Sequence, residues 1–281
     1  MFCLSFILKI SKNELFFESQ NSIEEVFLTE SLLIVHQSQS VSDNEIIVFN
    51  RQGEILLSWE VEGTYFQYEV NPYDENIVFL TSFDENWVYR TYEINLEMGK
   101  VTKSLIEEPF IEWVSKNEYT YLAWSQEIEE TTAPLVLADV NSEWNEIFAE
   151  NVIEQQSLKE GLMYVSMEDE DRGIVKYHFY SMIEKQEWSF FEGEIKQEYH
   201  EWIIPPYTVD WNGHMFYTFI LNGDSYTLVQ FNIDTGEQVV LKEHLDPKAI
   251  QVSPFNKLLL YGEKQSEVFS LETGIMKSLI K

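Results

Sequence analysis

Apolar residues along the chain fall in short solid blocks or at every second position, and Val, Ile, Tyr, Phe and Trp dominate them. No segment of comparable strength carries the spacing of an amphipathic helix, so the pattern predicts an all-β protein. Polar turns punctuate the blocks in a recurring way. "FNIDTGEQVVL" at Phe231 to Leu241 sets an Asp-Thr-Gly-Glu turn between two strand-like runs, and "FSLETGIMKSL" at Phe269 to Leu279 repeats it. "VFNRQGEILLSW" from Val48 and "YEINLEMGKVTKSL" from Tyr92 are further copies, with weaker ones near Asn13, Ser142 and Lys185.

Turn centres at Asn13, Gly53, Gly99, Ser142, Lys185, Gly236 and Gly274 are spaced by 40, 46, 43, 43, 51 and 38 residues. Four strands of about five or six residues with short connections need roughly forty residues, which is the length of one propeller blade. A second register agrees: "TESLLIVHQS", "NPYDENIVFLTS", "SKNEYTYLAWS", "LKEGLMYVSM", "DWNGHMFYTFIL" and "SPFNKLLLYGE" each place a turn before a β-rich run, upstream of one of the last six hairpins. The alternation of "SPFNKLLLYGE" with "EVFSLETGIMKSL" resembles the repeat of β-propellers of the TolB-like and WD40-like type. That resemblance implies a β-propeller of six four-stranded blades. Residues 1–18 then form an extra N-terminal hairpin that packs on the closure or, as the alternative, contributes a partial seventh blade. No Pro-, Gly- or Ser-rich linker divides the chain, so a single domain over residues 1–281 is expected.

Composition adds the electrostatics. Eighteen Lys and Arg against 49 Asp and Glu leave a formal charge of −31. A field of that sign repels phosphate backbones and anionic lipid surfaces, which excludes nucleic acid and direct membrane binding and favours basic partners. The one cysteine, Cys3, excludes an intrachain disulfide framework and reads as a small buried group. The opening "MFCLSFILKI" has no positive region before its apolar run, and Lys9 interrupts it, so the cytoplasm is the default compartment. Export is the expectation if a leader has been removed.

Local signatures of chemistry are absent: no Gly-rich phosphate loop, G-x-S-x-G elbow, HExxH pair or CxxC motif occurs. The five histidines are scattered along the chain without ligand spacing. No cofactor is predicted. A divalent cation is conceivable at "MEDEDRG", where Glu168, Asp169 and Asp171 crowd one loop, although the run lacks the ligand spacing of an EF-hand. Glu-Trp occurs twice in inner-strand segments, as Glu112-Trp113 and Glu201-Trp202. Aligning the repeats by their turns puts Glu112 in the column of Tyr68 and Ile250, so no ring of acids is written, and the two tryptophans stand as aromatic contacts or as core. The long first turn "HEWIIPPYTVDW", with Trp202 and Tyr207, reads as a recognition loop.

These features point to a non-catalytic scaffold that recognises a protein or peptide, basic in character, through channel-mouth loops. The alternatives are a propeller hydrolase or lyase with carboxylates at the channel, and an acidic immunity-type protein that neutralises a basic toxin.

Overall fold

The computed structural model describes residues 19–29, 31–40, 43–125, 130–158, 161–198, 201–210, 214–223, 225–253, 257–262 and 265–279. The expected N-terminal hairpin, with Cys3, lies outside the described residues. Everything regular among the described residues is β-strand, and no helix long and apolar enough to cross a membrane occurs there.

Blade 1 comprises β1 (Ser22–Leu28), β2 (Leu32–Ser40), β3 (Asp43–Asn50) and β4 (Ile55–Val61); blade 2 comprises β5 (Tyr65–Val70), β6 (Ile77–Phe83), β7 (Tyr89–Asn95) and β8 (Lys100–Lys103). Each is an antiparallel meander in chain order. β9 (Glu112–Trp113), β10 (Glu118–Leu122), β11 (Ala133–Asp139), β12 (Asn145–Leu158), β13 (Gly161–Asp169), β14 (Ile174–Ser181) and β15 (Gln186–Glu194) form one seven-stranded sheet, again in chain order. Its long strand β12 serves twice: residues up to Val152 pair with β11, and residues from Val152 onward pair with β13. The sheet is therefore two blades, with the outer strand of one running into the inner strand of the next. β18 (Thr208–Asp210), β19 (Met215–Asn222), β20 (Ser225–Asn232) and β21 (Gln238–Leu245) make the fifth blade, and β22 (Ile250–Ser253), β23 (Leu258–Tyr261), β24 (Glu267–Ser270) and β25 (Met276–Ser278) the sixth.

The hairpins that set the sequence period are the turns between third and fourth strands. Gly53, Gly99, Gly236 and Gly274 all sit there with positive φ, and Lys185, at φ 53°, takes the same left-handed conformation where the repeat has no glycine. The 51-residue interval has a structural cause: an additional two-stranded piece, β16 (Lys196–Glu198) with β17 (Glu201–Ile203), is inserted ahead of β18.

The chain divides into two compact units, residues 1–119 with 139–143, and residues 120–138 with 144–281. In the first, Leu32, Ile34, Ile46 and Val48 of blade 1 pack with Tyr68, Val78, Leu80 and Ile94 of blade 2, while Leu33, Val35, Ile47 and Phe49 fill the other face of blade 1. In the second, Met163, Val165, Tyr177 and Phe179 pack with Phe216, Val229 and Phe231, and Tyr217, Phe219 and Leu228 pack with Leu259 and Phe269. Second strands such as β2 and β6 are buried on both faces, which is why they read as solid apolar blocks; outer strands such as β4 and β21 alternate and are largely exposed.

Candidate functional site

Large apolar side chains left in solvent are scattered over most of the surface, as is usual for soluble proteins. At one end of blade 2, within the first unit, they are gathered. Tyr65 opens the inner strand β5 and is 54% exposed; Trp87 and Val88 lie in the β6–β7 turn at 64% and 63%; Tyr89 begins β7; Leu105 and Phe110, on the connection from β8 to β9, are 90% and 57% exposed. Phe83, 5% exposed, is the hub beneath them. Its ring lies 5.5 Å from Phe110, 5.8 Å from Trp87 and 5.9 Å from Tyr89, centroid to centroid. Tyr65 and Trp87 stack at 5.3 Å with their planes 5° apart. The rings support one another as a platform, with apolar surface facing water.

The turn that presents Trp87 is tightly specified. Asp84 Oδ1 accepts hydrogen bonds from the backbone N–H of Asn86 at 2.8 Å and of Val88 at 2.9 Å. The Trp87 N–H donates to the Asp84 carbonyl at 3.1 Å, and the Asp84 N–H to the Val88 carbonyl at 2.9 Å. Trp87 is thereby held at φ 62°, a left-handed conformation that costs an L-residue with a large side chain about 1–2 kcal/mol and that Gly or Asn would adopt more easily. Lys185, His214 and four other non-glycine residues take the same backbone conformation; at Trp87 it sets an indole in solvent beside Tyr65.

Acidic groups surround the platform. Asp84 and Glu85 flank Trp87 in its turn, and Glu107 and Glu108 precede Phe110. Burial, and then the neighbouring Glu107 carboxylate, holds the Glu108 carboxyl above the usual carboxylate range. Burial, followed by Glu108 and Glu107, also raises the Tyr89 phenol. Arg90 is neutralised by Glu62, Nη1 to Oε2 at 2.8 Å. Glu62, whose backbone carbonyl accepts from the Ser82 hydroxyl, also lines a pocket of about 440 Å³ with Asn21, Gln39, Asn44, Glu45, Glu60 and Val61. Three carboxylates thus border a polar recess that shares a residue with the edge of the aromatic platform.

With the architecture and this surface in view, comparison with known proteins gives a consistent result. Residues 8–262 match the YqgU-like 6-bladed beta propeller domain. The chain belongs to that family. The lipoprotein YqgU of Bacillus subtilis (strain 168) is 28% identical over 251 residues, covering 89% of this chain and 68% of YqgU. Protein lmo1340 from Listeria monocytogenes EGD-e superposes with a TM-score of 0.83 at 17% identity, over 96% of this chain and 84% of that one. TolB from Acinetobacter baumannii superposes at 0.52 with 11% identity, over 88% and 62%. The fold is a six-bladed β-propeller, as the TolB-like repeat implies.

In this YqgU-like propeller, the residues singled out from sequence are distributed rather than gathered. Trp113 is 3% exposed and belongs to the interior; Trp202 and Tyr207 pack against the cluster built around Phe216, with Tyr207 5.9 Å from the Phe216 ring. The long first turn accordingly faces inward through its aromatics, and Pro205 is buried with them. Glu201 lies in β17, and its side chain is outside what the structure describes. Glu112 stands near Glu69 of β5, one position from the Tyr68 column in which turn alignment sets it. Burial, and then Glu112, pushes the Glu69 carboxyl up to about 9. In the acidic loop Glu168 accepts from Ser166 Oγ at 2.7 Å and Asp169 from the Arg172 N–H at 3.1 Å, while Asp171 is exposed. Among the described residues, no three His, Cys, Asp or Glu side chains converge to hold a metal ion.

One constellation superficially resembles a catalytic triad. Ser166 Oγ lies 2.9 Å from His178 Nε2, and His178 Nδ1 lies 2.5 Å from Glu187 Oε2. The geometry argues for a structural network instead. Ser166 and His178 are buried, the imidazole is stacked on Tyr164 at 4.3 Å, and the single hydroxyl proton of Ser166 is contested by Glu168. Burial, partly offset by Glu187, keeps His178 below the usual imidazole range. A nucleophile needs an approach for its substrate, and this serine, 6% exposed, is closed to one.

The surface feature that sequence reasoning missed is the platform. Its one local signal is the "FDENWVYR" turn, where Asp-Glu-Asn, a turn-forming run, leads straight into Trp-Val-Tyr.

Proposed function

We propose that the protein is a non-catalytic binding scaffold, and that the exposed end of blade 2 seats a basic protein or peptide. The supporting observation is the Tyr65–Trp87–Phe110 surface, held out by a strained turn and bordered by Asp84, Glu85, Glu107 and Glu108. Aromatic anchors within a charged rim are the usual composition of a binding hot spot. A chain with net charge −31 further attracts cationic surfaces and accelerates their encounter.

The Bacillus subtilis relative is a lipoprotein, and we read this chain as exported too. The cytoplasmic expectation finds no support in that relative. A scaffold outside the cytoplasm meets protein partners at the cell surface, where its negative field keeps it off anionic headgroups.

The test is comparative capture from solubilised cell envelopes. Wild-type protein, a Tyr65→Ser/Trp87→Ser/Phe110→Ser variant and an Ile55→Ser/Ile183→Ser variant, altered at exposed residues elsewhere, are used as baits. The proposal expects a partner retained by the wild type and the control variant, lost by the platform variant, and weakened as salt rises from about 50 mM to about 500 mM. Equal retention by all three baits overturns it.

A further inference from the structure

Three features of the blade 2 surface define its occupant more narrowly than a protein of basic character. Trp87 offers an indole face in solvent, the strongest of the side-chain π-surfaces for a cation. Carboxylates lie on both sides of the platform: Asp84 and Glu85 in the turn, and Glu107 and Glu108 on the β8–β9 connection. Glu45, Glu60 and Glu62 border the polar pocket that joins the platform through Glu62. Arg90, the cation at this edge, is already committed to Glu62. Asp84, Glu45 and Glu62 already accept hydrogen bonds within the protein, but together the carboxylates give this end a negative potential that attracts a cation and repels an anionic polymer.

We infer that the occupant is an arginine-bearing peptide segment, with one guanidinium lying on the Trp87 face and a neighbouring cationic side chain entering the pocket of Glu45, Glu60 and Glu62. The inference rests on the reading that the blade 2 surface is the binding face. Arginine is favoured over lysine for two reasons. Its planar guanidinium stacks on an indole, where an ammonium makes only a point contact. Its fork of donors also pairs bidentately with a carboxylate and is less costly to strip of water. The Asp84-fixed turn holds the indole in place before binding, so little side-chain freedom is lost when the guanidinium docks.

The experiment is isothermal titration calorimetry of the full chain at about 150 mM salt, near the physiological Debye length. The probes are acetyl-hexaarginine amide, acetyl-hexalysine amide and cellohexaose. Hexaarginine is expected to bind more tightly than hexalysine, and cellohexaose not at all. Trp87→Leu keeps the apolar surface but removes the π-face; it should weaken hexaarginine by about 2- to 30-fold, the range of one cation–π contact, and Trp87→Phe should recover part of the loss. Glu60→Gln/Glu62→Gln should flatten the salt dependence, whereas Glu237→Gln/Glu243→Gln, just before and on the outer strand β21, should leave it unchanged. Equal affinity of wild type and Trp87→Leu, or uptake of cellohexaose in preference to hexaarginine, overturns the inference. Far-ultraviolet circular dichroism confirms that each variant is folded. If the platform variant loses its captured partner while hexaarginine ignores Trp87, the binding face stands and the arginine assignment falls. If capture survives without the platform, the binding face itself falls.

Discussion

At the scale of single residues, acidity has consequences beyond recognition. Glu69 and Glu112, on neighbouring inner strands of the first unit, stand close enough to oppose each other's ionisation, and burial adds the larger share. A carboxyl raised from its ordinary 4.5 to about 9 on folding favours the folded chain fully only below 4.5. Between those values the native state holds a proton that the unfolded chain has released, so stability falls as pH rises through the window. Glu69→Gln removes both the ionisation and the repulsion. We expect its melting temperature at pH 8 to exceed that of the wild type by about 2–4 °C, the scale of 1 kcal/mol in a chain of this length, with the gap closing toward pH 4. Differential scanning calorimetry across that range decides it, and a gap that widens toward acid would show the assignment to be wrong. Turn alignment alone could not reveal this pair, because it set Glu112 level with Tyr68 and says nothing of which side chains approach across neighbouring blades.

At the scale of elements, turns report both architecture and function. Gly236 and Trp87 adopt nearly the same backbone twist, at φ 70° and 62°. A side chain at Gly236 would meet no atom within 4 Å, so glycine is there for its conformational freedom. Trp87 has no such freedom, and on the proposed reading the strain is kept because it displays the ring. Trp87→Gly should therefore trade binding for ease of folding: its chemical denaturation midpoint should be no lower than that of the wild type, although the Tyr65 and Phe83 ring contacts are lost, while hexaarginine affinity drops. A midpoint that falls well below wild type would mean that the indole is there for packing. The third-to-fourth-strand hairpins were legible in the sequence because a tight turn leaves a local mark, as at Gly53, Gly99 and Gly274, and even Lys185 kept its place in the period. Exposure was less legible. Trp113 and Trp202 share a Glu-Trp context, yet Trp113 is buried on the inner strand β9 while Trp202, on the inserted β17, packs on the Phe216 cluster. The platform left almost no trace, since Tyr65 at the start of β5, Phe83 and Trp87 at the end of β6 and its turn, and Phe110 between β8 and β9 meet only when blade 2 folds.

At the scale of the whole molecule, the six-bladed YqgU-like fold supplies a rigid support, and blade-to-blade packing such as Ile34 against Val78 and Leu80 fixes where each loop emerges. The −31 charge acts over the whole surface and would steer a cationic partner from a distance without fixing where it lands. The proposal puts their landing point at the aromatic platform. Photo-crosslinking in living cells tests that assignment most directly. A benzophenone side chain is introduced in place of Leu105, 90% exposed beside the platform, or of Ile183, 74% exposed in the β14–β15 turn. The account predicts a discrete protein adduct from the Leu105 position, abolished by Trp87→Leu, and none from Ile183. An adduct from Ile183 alone, or one from Leu105 that is indifferent to Trp87, would contradict it.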